Sequence, residues 1–149
     1  MMQLPGEDIF ESPGGIKIHN RSWRAEGTAV LEVVNLADKL ARFTDHWSPR
    51  VVGELNGQQV KLAKLKGEFV WHHHEDADEL FLVLKGRLVI QLRDGEVTLG
   101  PGEIFIVPSG IEHKPVAEDE VHVLLFEPSG TLNTGNVTDA RTVQDCERI

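Results

Sequence analysis

The chain is expected to fold as an antiparallel all-β domain with a short helix near its N-terminal side, and three observations carry this. From Gly67 onward, turn signals arrive at short intervals: residues 75–78, Lys85-Gly86, Asp94-Gly95, Gly100-Pro101-Gly102, Pro108-Ser109-Gly110 and Glu118-Asp119. They separate apolar-rich runs of five to seven residues, a rhythm that belongs to antiparallel strands closing into a sandwich or barrel. Asn56-Gly57 stands between two such runs, and this pair is the strongest short hairpin signal because both central residues of a type I′ turn need positive φ. No unit repeats at a longer period, which excludes solenoids.

Taken in order, residues 1–29 carry Pro5, Gly6, Pro13, Gly14, Gly15 and Gly27 around a short Ile16-Lys17-Ile18 alternation. They read as an N-terminal extension contributing at most one edge strand; His19 and Trp23 lie in it, outside any motif. Residues 30–34 read as a strand. Asn35 suits an N-cap, and Leu36, Leu40, Phe43 and Trp47 recur at helical spacing, so an amphipathic helix is expected over 36–44, stopped by Ser48-Pro49. Residues 50–55 and 58–65 flank the hairpin turn. The last strand is expected at 121–127. Residues 138–149, of mixed charge and modest helix propensity, read as a frayed helix or a tail. The organisation expected is therefore an extension over 1–29, one β-domain over 30–135 and a tail over 136–149.

The 149 residues suffice for one domain with a real core and not for two comfortable ones. A net charge of −9 and a pI near 5.2 repel phosphate backbones and anionic membranes, so neither nucleic acid nor membrane is an expected partner. The single cysteine, Cys146, cannot form an internal disulfide, the N-terminus lacks a basic segment followed by an apolar one, and no run approaches the length of a membrane span. A cytoplasmic location is expected.

The chemistry concentrates in two blocks. The first runs Gly67-Glu-Phe-Val-Trp-His72-His73-His74-Glu-Asp-Ala-Asp-Glu79-Leu-Phe-Leu-Val-Leu-Lys-Gly86. Successive strand side chains point to opposite faces, so His72 and His74 share one face and His73 takes the other, with Phe69 and Trp71. Glu79 opens the next run and can bring a carboxylate to the same cavity. In the second block, 102–113, an apolar run enters a Pro-Ser-Gly turn and His113 follows. Imidazole and carboxylate without cysteine suit zinc, iron, manganese, nickel or copper rather than a thiolate site.

The two blocks together resemble the cupin superfamily. His72, His74, Glu79 and Gly86 reproduce its first motif, and Gly102, Pro108, Gly110 and His113 its second; Ala117 stands where the family has Asn, and Gly67 is one residue nearer His72 than usual. The closer resemblance, over 35–135 and including the ending Glu127-Pro-Ser-Gly-Thr-Leu-Asn-Thr-Gly135, is to small single-domain cupins described as mannose-6-phosphate isomerase-like. It implies a double-stranded β-helix, the jelly-roll barrel, with one divalent transition metal (Fe, Mn, Zn or Ni) on His72, His74, Glu79 and His113, these ligands coming from three or four separate strands. It also favours a homodimer, for which the outward rows Phe69, Trp71 and Leu80, Leu82, Leu84 supply an apolar surface.

Three function classes follow. One is a metal-dependent enzyme acting on a small polar metabolite by oxygenase, isomerase, lyase or epimerase chemistry; another is a non-catalytic binder of a sugar or small acid; the third is a scaffold with a structural metal. The chain has no tyrosine, so proton transfer would fall to metal-bound water or a carboxylate. Asp76 and Asp78 read as turn formers that could also support a ligand. His122 reads as a structural histidine, and Lys61, Lys64 and Lys66 either as a phosphate-binding cluster or as solvated surface charge.

Overall fold

The computed structural model describes residues 17–19, 22–24 and 30–149. Strands β1 (Lys17–His19), β2 (Ser22–Arg24) and β3 (Val30–Glu32) form a small antiparallel sheet of their own. The extension thus holds more than one strand, and residues 30–32 pair with β2, although they were expected to begin the main domain. The compact unit that carries the motifs starts at Leu36. His19 and Trp23 fall on β1 and β2, their side chains outside the described residues.

In the larger unit the only described helix is α1 (Leu36–Leu40), shorter than the 36–44 expected. Tertiary packing ends it. Arg42 N already bonds to Lys39 O, three residues back, at 3.1 Å, and Trp47 takes a left-handed φ of 59°, uncommon for a bulky residue. Its backbone N–H bonds to Lys64 O and its indole Nε1–H to Lys66 O, each at 2.9 Å, while its ring stacks on Phe69 at 4.7 Å. These contacts with the chain just before the histidines outweigh one further helical turn. No described helix is long and apolar enough to cross a membrane.

Strands β4 (Arg50–Leu55) and β5 (Gln58–Glu68) form the expected hairpin. Asn56 and Gly57 sit at φ 51° and 78°, the pair of positive angles a type I′ turn requires. Beyond them lie β6 (Glu79–Lys85), β7 (Leu88–Leu92), β8 (Gly95–Leu99), β9 (Ile104–Val107) and β10 (His113–Pro128). The sheet runs β4-β5-β10-β6-β9, and β7 joins β10 to β8.

β10 organises this topology. Glu118-Asp119, expected as a turn, is instead a bulge within one sixteen-residue strand. Ala117 pairs with Gly67 and Val121 with Leu65, so the bulge adds two residues and leaves the inward-outward parity intact. Before it, residues 113–116 pair with β7; after it, residues 122–126 pair with β6. The core, including Leu65, Phe81, Val83, Leu88, Ile90, Val107, Val121, Val123 and Leu125, lies between these branches, as expected of a jelly-roll cupin barrel.

The tail is ordered and not helical. Val51 N–H bonds to Glu147 O at 2.8 Å and Ile149 N–H to Val51 O at 3.1 Å, so residues 147–149 lie along β4 and satisfy its edge. Asn133 holds the approach, donating to Trp47 O and Arg141 O and accepting from Val143 N–H.

Candidate metal centre

Residues 69–78 form no regular strand. Only His72 bridges to His113, through a reciprocal backbone pair of 3.1 and 2.9 Å. Three further anchors hold the segment. Phe69 N–H bonds to Pro115 O (2.9 Å) and Gly110 N–H to His74 O (2.7 Å). On the other side Asn136 donates its N–H to His73 O at 3.0 Å and accepts from His73 N–H through Oδ1 at 2.9 Å. Gly135, at φ 53°, lies so close that an added Cβ would collide with His73 O.

This arrangement buries His72 and His74 and leaves His73 half-buried. Strand parity therefore holds for the histidines and fails at Phe69, which faces the core and meets His72 edge-on at 5.4 Å. Only Trp71 and His73 keep positions apart from it, with Arg93 over the Trp71 ring at 3.9 Å. The four candidate ligands come from two strand starts, Glu79 on β6 and His113 on β10, plus the irregular segment, instead of three or four strands.

The side chains of His72, His74, Glu79 and His113 are all buried, with one ligand atom from each lying within 4.8 Å of the others. Glu79 Oε2 is 3.2 Å from His74 Nε2 and 3.1 Å from His113 Nε2. Metal–nitrogen and metal–oxygen bonds near 2.0–2.2 Å put neighbouring ligand atoms about 3.0–3.4 Å apart, so these separations fit a shared ion. The rings are oriented from behind. Nδ1–H of His72 donates to Val70 O at 3.0 Å and that of His113 to Ile111 O at 2.9 Å. A carbonyl only accepts, so in the neutral ring the lone pair is left on Nε2. His113 Nε2 then faces a carboxylate oxygen lone pair to lone pair, which is stable only with a proton or a cation between them.

The electrostatics agree. Burial, then the charge of His113, pushes His72 down to about 4. Burial alone would push Glu79 up, but hydrogen bonds from His113 and His74 outweigh it and hold the carboxyl at about 2. Burial also disfavours the charged form of His74, yet its hydrogen bond to Glu79 and that carboxylate's charge raise its pKa.

Sequence reasoning missed a second buried pair. Lys61, read with Lys64 and Lys66 as phosphate-binding or surface charge, is 1% exposed and donates to Glu127 Oε1 at 2.7 Å. Glu127 is equally buried and its Oε2 has no partner. Burial, then the charge of Glu79, pushes its carboxyl up to about 7. The available signal was parity, since Lys61 alternates with Ala63 and Leu65, and Glu127 with Val123 and Leu125. Lys64 donates to Phe43 O at 2.7 Å and Lys66 is exposed, so the three lysines form no cluster. Asp78 accepts from Ser109 N–H at 2.8 Å and clasps two turns together. His122 pairs with Glu120 on the outside, away from the cluster.

Two spaces adjoin the cluster. Toward the core, a cavity of about 30 Å³ is lined by His72 and Glu79 with Trp47, Phe69, Phe81 and Leu125, room for about one water. Toward solvent, an open groove of about 460 Å³ has His74 in its wall.

Residues 58–127 match the family model described as Cupin domain. A cupin-2 domain containing protein of Shewanella frigidimarina is similar in structure, with TM-score 0.64 and 50% identity over 64% of this chain and 94% of that one. The protein NMB1881 of Neisseria meningitidis gives TM-score 0.61 and 31% identity over 66% of this chain and all of that one. An uncharacterized Bacillus subtilis protein, YdbB, is 42% identical over 64 residues, a stretch spanning 42% of this chain and 57% of the relative.

Proposed function

This chain belongs to the cupin superfamily, and we propose that His72, His74, Glu79 and His113 hold one divalent transition metal, iron, manganese, zinc or nickel, in a small metal-dependent enzyme. Its substrate is a small polar metabolite, and its chemistry is of oxygenase, isomerase or lyase type. The observation that carries the reading is the facing of His113 Nε2 and Glu79 Oε2 at 3.1 Å inside a buried set of four donors. A bound metal would supply Lewis-acid polarisation of a substrate oxygen. Around it the chain's own residues set orientation and access. The carbonyls of Val70 and Ile111 fix two imidazoles, Phe69, Phe81 and Leu125 give the core side of the cluster an apolar lining, and the groove beside His74 admits the ligand. With no tyrosine in the chain, a carboxylate is the proton acceptor to look for.

Membership of the mannose-6-phosphate isomerase-like subgroup is part of the proposal and brings no reaction with it. The second reading, a non-catalytic binder of a sugar or small acid, is favoured by the small size of the cavity next to the cluster. Metal analysis of purified protein followed by a metabolite screen separates them. An oxygenase consumes oxygen with its substrate, an isomerase or lyase converts it anaerobically, and a binder only raises the melting temperature. Protein that holds no transition metal after reconstitution at neutral pH refutes both.

A homodimer and a cytoplasmic location complete the proposal; the lone Cys146 fits the latter. Phe69 no longer counts toward the dimer face. What supports it is the outer side of β6 and β9, where Leu80 pairs with Ile106 and Leu82 with Ile104, the two isoleucines being 50% and 58% exposed. Sedimentation of a monomer at micromolar concentration would refute the dimer.

A further inference from the structure

Two of the four donors, His72 and Glu79, line the cavity of about 30 Å³ that lies toward the core. Most of its remaining wall is hydrocarbon: Ala63, Leu65, Phe69, Phe81 and Leu125, with two prolines. The other two lining residues carry polar groups that are already engaged. Trp47 donates its indole N–H to Lys66 O at 2.9 Å. Asn133 gives both amide protons to carbonyls, those of Trp47 and Arg141, and its oxygen accepts from Val143 N–H. His72 Nδ1–H is held by Val70 O. Once an ion takes His72 Nε2 and Glu79, the lining side chains keep no free donor and at most one free carboxylate oxygen. A sugar or hydroxy acid placed there would have to bury its polar groups unpaired, in a space the size of about one water. Such a wall suits a guest that is both very small and apolar, since cavities lined by hydrocarbon take apolar guests.

We propose that this cavity binds dioxygen on the core side of the metal centre and excludes polar metabolites. The inference rests on the metal-centre reading and selects oxygenase chemistry from the three types named there, with the metabolite bound outside this cavity.

The test is methyl NMR of the full-length, zinc-reconstituted protein under dioxygen pressure; zinc has no redox chemistry, so the gas is not consumed. Paramagnetic relaxation of the Ala63, Leu65 and Leu125 methyl groups is compared with that of Val83, Leu88 and Ile90, which are buried in the same core but do not line the cavity. The comparison cancels the general solubility of dioxygen in protein interiors. Enhancement at the lining methyls should exceed that at the control methyls several-fold. Ala63→Val, which fills part of the space, should bring Leu65 and Leu125 down to the control level, and Leu125→Ala, which enlarges it without overpacking, should raise the enhancement at Ala63 and Leu65. Ethylene glycol, a polar probe, should leave the lining methyl shifts where they are in its absence. Equal relaxation of lining and control methyls, enhancement that neither variant alters, or shifts moved by ethylene glycol overturns the proposal. Zinc content of the same samples reports on the metal centre: protein that takes up no zinc contradicts the metal reading and with it this one, whereas zinc-loaded protein without the local enhancement contradicts this one alone.

Discussion

Gly135→Ala should loosen the histidine segment from outside it, and Gly130→Ala in the same loop provides the comparison. Both glycines have positive φ, 53° and 85°, so alanine at either costs roughly 1–2 kcal/mol of backbone strain. Only one meets an obstacle. At Gly130 an added Cβ has nothing within 4 Å, whereas at Gly135 it would collide with His73 O and stand 2.9 Å from His73 C and 3.2 Å from His72 Cδ2. The first two obstacles are backbone, so relief requires moving the His73 peptide or the 135–136 loop, an overpacking cost of about 1–3 kcal/mol. Moving them stretches the two Asn136–His73 hydrogen bonds, worth roughly 0.5–1.5 kcal/mol each. Urea unfolding of the metal-free proteins should therefore show a loss of about 1–2 kcal/mol for Gly130→Ala and about 2–5 kcal/mol for Gly135→Ala. Zinc affinity by competition with a chelator should stay at the parent value in the first and fall about tenfold or more in the second, as disturbed supporting contacts do. Equal metal affinity in the two variants would show that the loop does not hold the histidines.

His72→Ala, His74→Ala, Glu79→Ala and His113→Ala should each lower metal content steeply, while His73→Ala should leave it near the parent level; elemental analysis showing the reverse for His72 and His73 would refute the assignment. Lys61→Met leaves the buried Glu127 without its counter-ion and should destabilise the protein in denaturant unfolding at pH 8, with most of the loss recovered in Lys61→Met/Glu127→Leu; a single variant as stable as the parent would contradict the buried ion pair. The pH dependence of the metal-free protein combines two signs. His72, at 6.5 unfolded and about 4 folded, contributes stability that is lost as pH falls from 6.5 toward 4, whereas Glu127, at 4.5 unfolded and about 7 folded, contributes stability lost as pH rises from 4.5 through 7. These slopes oppose one another between 4.5 and 6.5. Below 4.5 Glu79, held at about 2, adds its loss to that of His72. The urea midpoint should stay nearly level over that window and drop steeply below it. Glu127→Gln should make it fall from about pH 6.5 at roughly 1.4 kcal/mol per unit, and the same level profile in that variant would refute the balance.

Local chemistry was legible in the chain wherever one residue's preference suffices. Asn56-Gly57 specifies its turn through backbone sterics, and the spacing of His72, His74, Glu79 and His113 is a property of the chain alone. Parity also separated His72 and His74 from His73, although the segment proved not to be a strand. Alternation survives there because reciprocal bonds to His113 hold one residue in extended register, and it lapses at Phe69, where the chain leaves β5 beyond the bulge. Tertiary structure decided what depends on partners far along the chain. Trp47 ends α1 early because Lys64, Lys66 and Phe69 offer more than another helical turn. Residues 147–149 take strand-like bonds because β4 presents an open edge. Glu118-Asp119 bulges because β10 must change partners from β7 to β6 without changing face. Lys61 is buried because Glu127, sixty-six residues away, meets it across the β5–β10 pairing, and a charge becomes tolerable inside a barrel only when folding supplies its counter-ion.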